Sequence, residues 1–196
     1  SHVADGVALS INRLASTLLN DGHEVLVFAP VGLPHRLHFA APLVPLRSVA
    51  LSPLIPDSKH TAADEYFVST GLSRDNAEAL ERFGPDVIHV AAPDIAGVEA
   101  ALWAERHAVP VTCSVHTMYP EYVRINKLPL AALAAAALQR EIAGFQRRHC
   151  ASVWVPNTSL QADVREHIGR GGAGADVRLW RRGVDARSFS PALRCG

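Results

Sequence analysis

A histidine, two hydroxyl-bearing residues and a carboxylate lie in one short stretch: His116, Thr117, Tyr119 and Glu121. They follow Val111–Val115, an apolar run entered through Pro110. Such a run reads as a buried strand, and polar residues at its C-terminal tip stand where open α/β sheets bind ligands. A histidine there can donate to a sugar hydroxyl or a phosphate oxygen, or exchange a proton near neutral pH. The plainer reading is a half-buried histidine bonded to a backbone carbonyl. Glu121 reads either as an acid/base group or as a solvated loop carboxylate. His89 falls inside another strand and reads as structural. Asp94 follows that strand, and helix capping is favoured for it over chemistry.

Other residues offer weaker signals. Gly6 opens a helix, whose N-terminal amides and positive dipole end can face an anion, although a plain helix start explains it equally well. Arg181 and Arg182, with Asp185, flank Gly183 after the last strand; two arginines there can grip a phosphate, and an exposed turn is the simpler account. His35 and His38 form an HxxH with no carboxylate or cysteine nearby, so no metal site is expected. Neither a GxGxxG nor a Walker motif is present, nor a GxSxG elbow.

The elements that position these residues follow from periodicity. Val7, Ile11, Leu14 and Leu18 share one helical face, with Asp5 as a candidate cap and Asn20-Asp21-Gly22 as the stop. Glu24–Ala29 reads as a central strand. Helix, turn and strand make half of a βαβ unit, and the strand expected before Gly6 is missing from the sequence. Residues 31–56 are proline-rich, with Val44–Ala50 a candidate edge strand. Lys59–Ser73 reads as a mobile loop. Arg74–Phe83 is helical and stops at Gly84-Pro85. Asp86–Val90 is a strand, followed by a helix on which Ile95, Val98, Ala101 and Leu102 share a face. Leu128–Arg148 is an alanine-rich helix. Ala151–Val155 is a strand, a helix runs from about Asn157 to Ile168, and Asp176–Trp180 is the last strand. Strands alternating with helices at this spacing predict an α/β fold with a mostly parallel, Rossmann-like sheet covered by helices on both faces.

Composition narrows the partners. The 196 residues are 48% hydrophobic and 19% charged, with 19 basic residues against 19 acidic ones. That balance gives no support for nucleic acid as a partner. Cys113, Cys150 and Cys195 suit neither a disulfide framework nor a zinc cluster and read as reduced structural thiols. The alanine-rich stretch Leu128–Leu138 is too short to span a bilayer, and no secretory pattern opens the sequence. A cytoplasmic soluble domain is the expectation.

These pieces together resemble a family. GVALSINRLASTLLNDGHEVLVFAP, FGPDVIHVAAPD, VPVTCSVHT, VWVPN and VRLWRRGVDARSFSP occur in the order and spacing of family four glycosyltransferases. The chain is similar to their N-terminal, acceptor-side Rossmann-like domain, one half of a GT-B fold, over nearly all but residues 32–74. The nearest branch holds sulfoquinovosyl-diacylglycerol synthases and bacterial lipid mannosyltransferases, which leaves room for peripheral membrane contact or a plastid location.

The resemblance implies retaining transfer of a sugar from a nucleotide-sugar donor to a lipid or glycan acceptor, with no cofactor and no essential metal. His116 matches the histidine beside the donor sugar. Gly6 matches the glycine near the donor diphosphate, with Thr117 and Arg182 as further donor- or phosphate-binding candidates. Asp94, Tyr119 and Glu121 are the acceptor-side candidates. The implied organisation is a Rossmann-like domain over residues 1–185 and the start of an interdomain linker over 186–196. The partner domain, with its diphosphate-binding Lys/Arg pair and its glutamates, is not in the sequence, so this half alone is expected to be inactive. A sheet lacking the strand before Gly6 exposes unpaired edges, so marginal folding or association with a partner chain is also expected. A non-catalytic sugar- or phosphate-binding module is the alternative reading. An unrelated Rossmann-type oxidoreductase is a weaker one, opposed by the lack of GxGxxG.

Overall fold

The computed structural model describes residues 6–30, 39–50, 67–125, 131–169, 175–181 and 183. It has α1 (Gly6–Asn20), β1 (Val27–Pro30), β2 (Leu43–Leu46), β3 (Ser48–Ala50), β4 (Phe67–Ser69), α2 (Arg74–Phe83) and β5 (Ile88–Val90). These are followed by α3 (Ile95–Arg106), β6 (Val111–Ser114), α4 (Tyr119–Ile125), α5 (Ala131–His149), β7 (Ser152–Val155), α6 (Thr158–Ile168) and β8 (Asp176–Leu179).

The principal sheet is parallel throughout, in the order β5-β6-β7-β8. Each step along it is a crossover through a helix, and right-handed crossovers that advance in one direction put their helices on one face. Accordingly α3 packs on α5, and α5 on α6. A second parallel pair joins β1 to β2, and β3 pairs antiparallel with β4. The α/β class and the mostly parallel pairing follow the expectation. Among the described residues β1 pairs only with β2, so its predicted central position is not reproduced by hydrogen bonding.

Period-two alternation divides the principal sheet into two unlike faces. Val90, Val111, Cys113, Val153, Val155 and Val177 form a buried apolar set with Trp103, Phe145, Val164 and Ile168 from the helices. The intervening positions carry His89, Thr112, Ser114, Ser152, Trp154 and Arg178, a polar and aromatic set.

Several expectations are corrected. The α3 face read from Ile95, Val98, Ala101 and Leu102 is rotated: Ile95 is 53% and Leu102 40% exposed, while Ala96, Ala101, Trp103 and Ala104 are buried. Two interactions set that orientation. Trp103 Nε1 donates to Glu81 Oε2 on α2 at 2.9 Å, and Gly97 sits so close to the sheet connection that a Cβ there would meet the Ala92 carbonyl oxygen at 2.6 Å. On α1 the deepest positions are Ala8 and Ala15, beside the predicted stripe. Part of the segment read as a loop before α2 is strand β4, and the extended piece over 44–50 is two strands, β2 and β3. The first strand begins at Val27 rather than Glu24, and α5 ends one residue later than expected. Helix α4, starting at Tyr119, was not foreseen; Pro120 falls in its first turn, where proline costs no hydrogen bond. Asp5, His35, His38, Arg182, Cys195 and the linker over 186–196 lie outside the described residues.

Candidate functional site

The parallel strands bring His116 to the C-terminal end of β6, as the sequence predicts. What holds it there is the polar face of the sheet. Register pairs His89 on β5 with Thr112 on β6, and Ser114 on β6 with Trp154 on β7. The imidazole of His89 spans two positions of β6: its Nδ1 is 2.9 Å from Thr112 Oγ1, and its Nε2 is 2.9 Å from Ser114 Oγ. Ser114 Oγ in turn lies 2.7 Å from His116 Nε2. Thr112, His89, Ser114 and His116 thus form one continuous polar ladder.

Aromatic rings close the ladder on its other side. The rings of His89 and Trp154 lie with centroids 4.8 Å apart, and Trp180 meets both Trp154 (5.5 Å) and His116 (5.8 Å) edge-on. Trp154 Nε1 donates to Ser152 Oγ at 3.0 Å, so the indole N–H is satisfied within its own strand. Burial, reinforced by the charge of His116 when protonated, pushes the pKa of His89 down from 6.5 to about 4. At neutral pH His89 is an uncharged imidazole with one donor and one acceptor nitrogen.

A small recess of about 20 Å³, room for one water at most, is lined by Pro93, Ser114, His116, Thr117 and Tyr119. Thr117 also borders a larger cavity of about 620 Å³ among α4, α5 and α6, with Glu121, Arg124, Arg140 and Arg147 in its lining. The structure therefore gathers His116, Thr117 and Tyr119 at one point and puts Glu121 one cavity away, in a 3.0 Å ion pair with Arg124.

Asp94 is committed elsewhere. Its Oδ1 accepts from Gly97 N at 2.9 Å as the α3 cap, and its Oδ2 accepts from Ser69 Oγ at 2.6 Å. Ser69 Oγ also receives the Ala96 N–H at 3.2 Å, so Asp94 ties α3 to β4. Gly6 is exposed in the first turn of α1, its carbonyl accepting from Ser10 Oγ. The same helix is joined to the stretch after β8, where Arg13 Nη1 donates to Gly183 O at 3.1 Å. The donor-side candidates Gly6 and Arg182 thus belong to segments that are in contact, although Arg182 itself is not described.

Sequence reasoning missed Ser114 and Thr112 as site residues, along with Trp154 and Trp180. The signal was available in the alternation: residues 112, 114 and 116 share one face of a strand, and a strand buried on both faces by apolar packing would not alternate Thr and Ser with Val and Cys. Among the described residues no group of His, Cys, Asp or Glu is arranged to hold a metal ion, and no helix is long and apolar enough to cross a membrane.

The comparisons with known proteins match this architecture. The sequence model of Glycosyltransferase Family 4 matches residues 4–188. The chain belongs to that family. A GDP-mannose-dependent alpha-mannosyltransferase of Mycobacterium tuberculosis (strain CDC 1551 / Oshkosh) is 29% identical over 198 residues, covering 97% of this chain and 47% of the relative. A second protein of that description, from Corynebacterium glutamicum, is 27% identical over 97% of this chain and 42% of its own length. The sulfoquinovosyl transferase SQD2 of Arabidopsis thaliana is 30% identical over 65% of this chain and 24% of its own. The chain thus spans less than half the length of these relatives. No solved structure matches it significantly. The family agrees with the resemblance read from the motifs, and the relatives include mannosyltransferases and a sulfoquinovosyl transferase, as the nearest branch implied.

Proposed function

We propose that this chain forms the acceptor-side half of a retaining glycosyltransferase that moves a hexose from a nucleotide-sugar to a lipid or glycan acceptor. The observation that carries the reading is the family match over residues 4–188, in a chain whose histidine stands at a strand tip braced by a half-buried polar ladder. GDP-mannose is the donor of first choice, since two of the relatives above are named for it.

In this reading the donor sugar lies against His116 and Thr117. Sugar transfer with oxocarbenium character needs polar groups around the ring and positive charge or helix amides at the leaving diphosphate. His116 supplies the former, and the start of α1 at Gly6 with Arg182 contributes to the latter. The acceptor lies on the side of Tyr119 and Glu121. The remaining diphosphate contacts come from a second Rossmann-like half, and the isolated chain is inactive. The reaction needs no cofactor and no bound metal, and the enzyme works in the cytoplasm, with contact to a membrane surface if the acceptor is a lipid.

The test joins this chain to the C-terminal half of the Mycobacterium tuberculosis relative and follows transfer of radiolabelled mannose from GDP-mannose. The expected result is transfer by the chimera, loss of roughly a hundredfold or more with His116→Ala, and none by this chain alone. Tight GDP-mannose binding by the isolated chain, measured calorimetrically, together with an inactive chimera would favour a non-catalytic sugar-binding module instead.

A further inference from the structure

Helix α5 is divided along its length. Its first half, Ala131–Leu138, carries no charge, and Ala132, Leu133, Ala134, Ala136 and Ala137 are exposed there, Leu133 by 67%. Its second half carries Arg140, Arg147 and Arg148. Both halves line the cavity of about 620 Å³ between α4, α5 and α6.

Ala136, Arg140, Ala143 and Arg147 fall on one stripe of α5, and all four line that cavity. Between the two arginines Ala143 and Gly144 offer almost no side chain, which leaves a notch on the helix. A Cβ at Gly144 would meet the Arg148 guanidinium at 3.0 Å, so Arg148 folds back toward the same notch. Among the described residues none of the three arginines has a hydrogen-bond or ion-pair partner. The helix dipole favours cations in the last turn, where Arg147 and Arg148 stand, but its effect does not reach back to Arg140. Of the carboxylates in the lining, Glu121 is held by Arg124 at 3.0 Å, and Asp163 on α6 is the other. The cations therefore remain in excess. Met118, Ile142, Leu160 and Val164 make the rest of the lining largely apolar.

We propose that this cavity binds an amphiphile carrying a phosphate group. The phosphate lies at Arg140 and Arg147, and the hydrocarbon chain lies along the uncharged first half of α5. Guanidinium forks match phosphate oxygens two at a time, and exposed alanine and leucine side chains gain by covering a hydrocarbon. An inorganic anion uses only the cationic end, and an uncharged amphiphile only the apolar one. A ligand with both properties uses the whole site. The inference goes beyond the transferase reading and does not rest on it, since neither His116 nor a sugar donor takes part.

The test titrates the chain calorimetrically with octyl phosphate below its micelle concentration, with inorganic phosphate, and with the uncharged octyl pentaethylene glycol ether. Octyl phosphate should bind more tightly than either of the others, by about tenfold or more. Arg140→Gln and Arg147→Gln together should abolish that advantage. Leu133→Asp should weaken octyl phosphate alone, and Asp163→Asn should tighten it. Arg106→Gln, which removes an exposed cation of α3 outside the cavity, should change nothing. Every one of these positions is exposed, and thermal unfolding checks that each variant is folded. Co-sedimentation with phosphatidylcholine vesicles, with and without phosphatidic acid, separates the two sources of such a ligand. Retention on the acidic vesicles alone, lost in the double variant, identifies a lipid held in a bilayer. Octyl phosphate binding without retention identifies an amphiphile taken up singly. Octyl phosphate binding no tighter than inorganic phosphate, binding unchanged in the double variant, or an equal loss with Arg106→Gln would overturn the proposal.

Discussion

Ser114 Oγ is 2.7 Å from His116 Nε2 and 2.9 Å from His89 Nε2, so a single buried hydroxyl bridges two imidazoles on neighbouring strands. Removing it leaves both rings a partner short inside the protein. An unmet buried polar group costs about 1–3 kcal/mol. Ser114→Ala should therefore lower the free energy of unfolding by that amount in a urea titration. A change of a few tenths would mean that water replaces the hydroxyl without loss.

The depressed pKa of His89 makes stability depend on pH in a defined window. In the unfolded chain the imidazole takes up its proton near pH 6.5, and in the folded chain only near 4. Between those values the unfolded state binds more protons, so stability falls as the pH is lowered. The loss amounts to roughly 3 kcal/mol by pH 4. His89→Gln should flatten this part of the stability profile, whatever it does to stability at pH 7.5. Parallel profiles for the two proteins would show that His89 does not titrate in this way.

Gly97 is held by contact rather than by backbone conformation. A methyl group there would press on the Ala92 carbonyl oxygen and on Val90 Cγ1, which would lie at 2.9 Å. Alanine normally favours a helix by up to about 1 kcal/mol over glycine. Here the overlap should outweigh that gain, and Gly97→Ala should destabilise by about 1–3 kcal/mol through displacement of α3. A stabilised variant in thermal unfolding would refute the close approach.

Asp94 joins a helix cap to a strand hydroxyl through its two carboxylate oxygens. Asp94→Asn preserves an acceptor for Gly97 N and can still meet Ser69, so it should cost less than 1 kcal/mol, whereas Asp94→Ala should cost about 2 kcal/mol. In the chimeric transferase Asp94→Asn should leave the KM for the acceptor unchanged. A raised KM with unaltered stability would return Asp94 to the acceptor site.

Cys113 and Cys150 are buried, with the Cys150 thiol beside that of Cys113. That contact, ahead of burial, raises the pKa of the Cys113 thiol and keeps it protonated. On a Cys195→Ser background neither should react with iodoacetamide until the chain unfolds. Labelling at the rate of a free thiol would show that the sheet opens locally around β6.

Much of the fold was legible because its signals are local. Gly84-Pro85 stops α2, and the β5 to β8 strands are short valine-bearing runs separated by helices of ordinary length. The rotation of α3 was not legible, because Trp103 is held by Glu81 on another helix and Gly97 by a close approach to the Ala92 carbonyl that arises only from the fold of the turn between them. At the site, His116 could be found from its place after a strand. His89 could not be assigned to it, since its meeting with Ser114 depends on the register between β5 and β6, which no single stretch of sequence encodes.

The unlike faces of the sheet have a bearing on how faithfully the chain must fold. Sliding β6 by one residue would turn Ser114 and His116 toward the helices and deliver Cys113 and Val115 to the polar side. The misaligned strand would bury two hydrogen-bonding groups in oil and unmake the histidine ladder in the same movement. Selection for a folded sheet is therefore also selection for a correctly aimed His116, and a molecule that passes a stability threshold has already passed a test of its site.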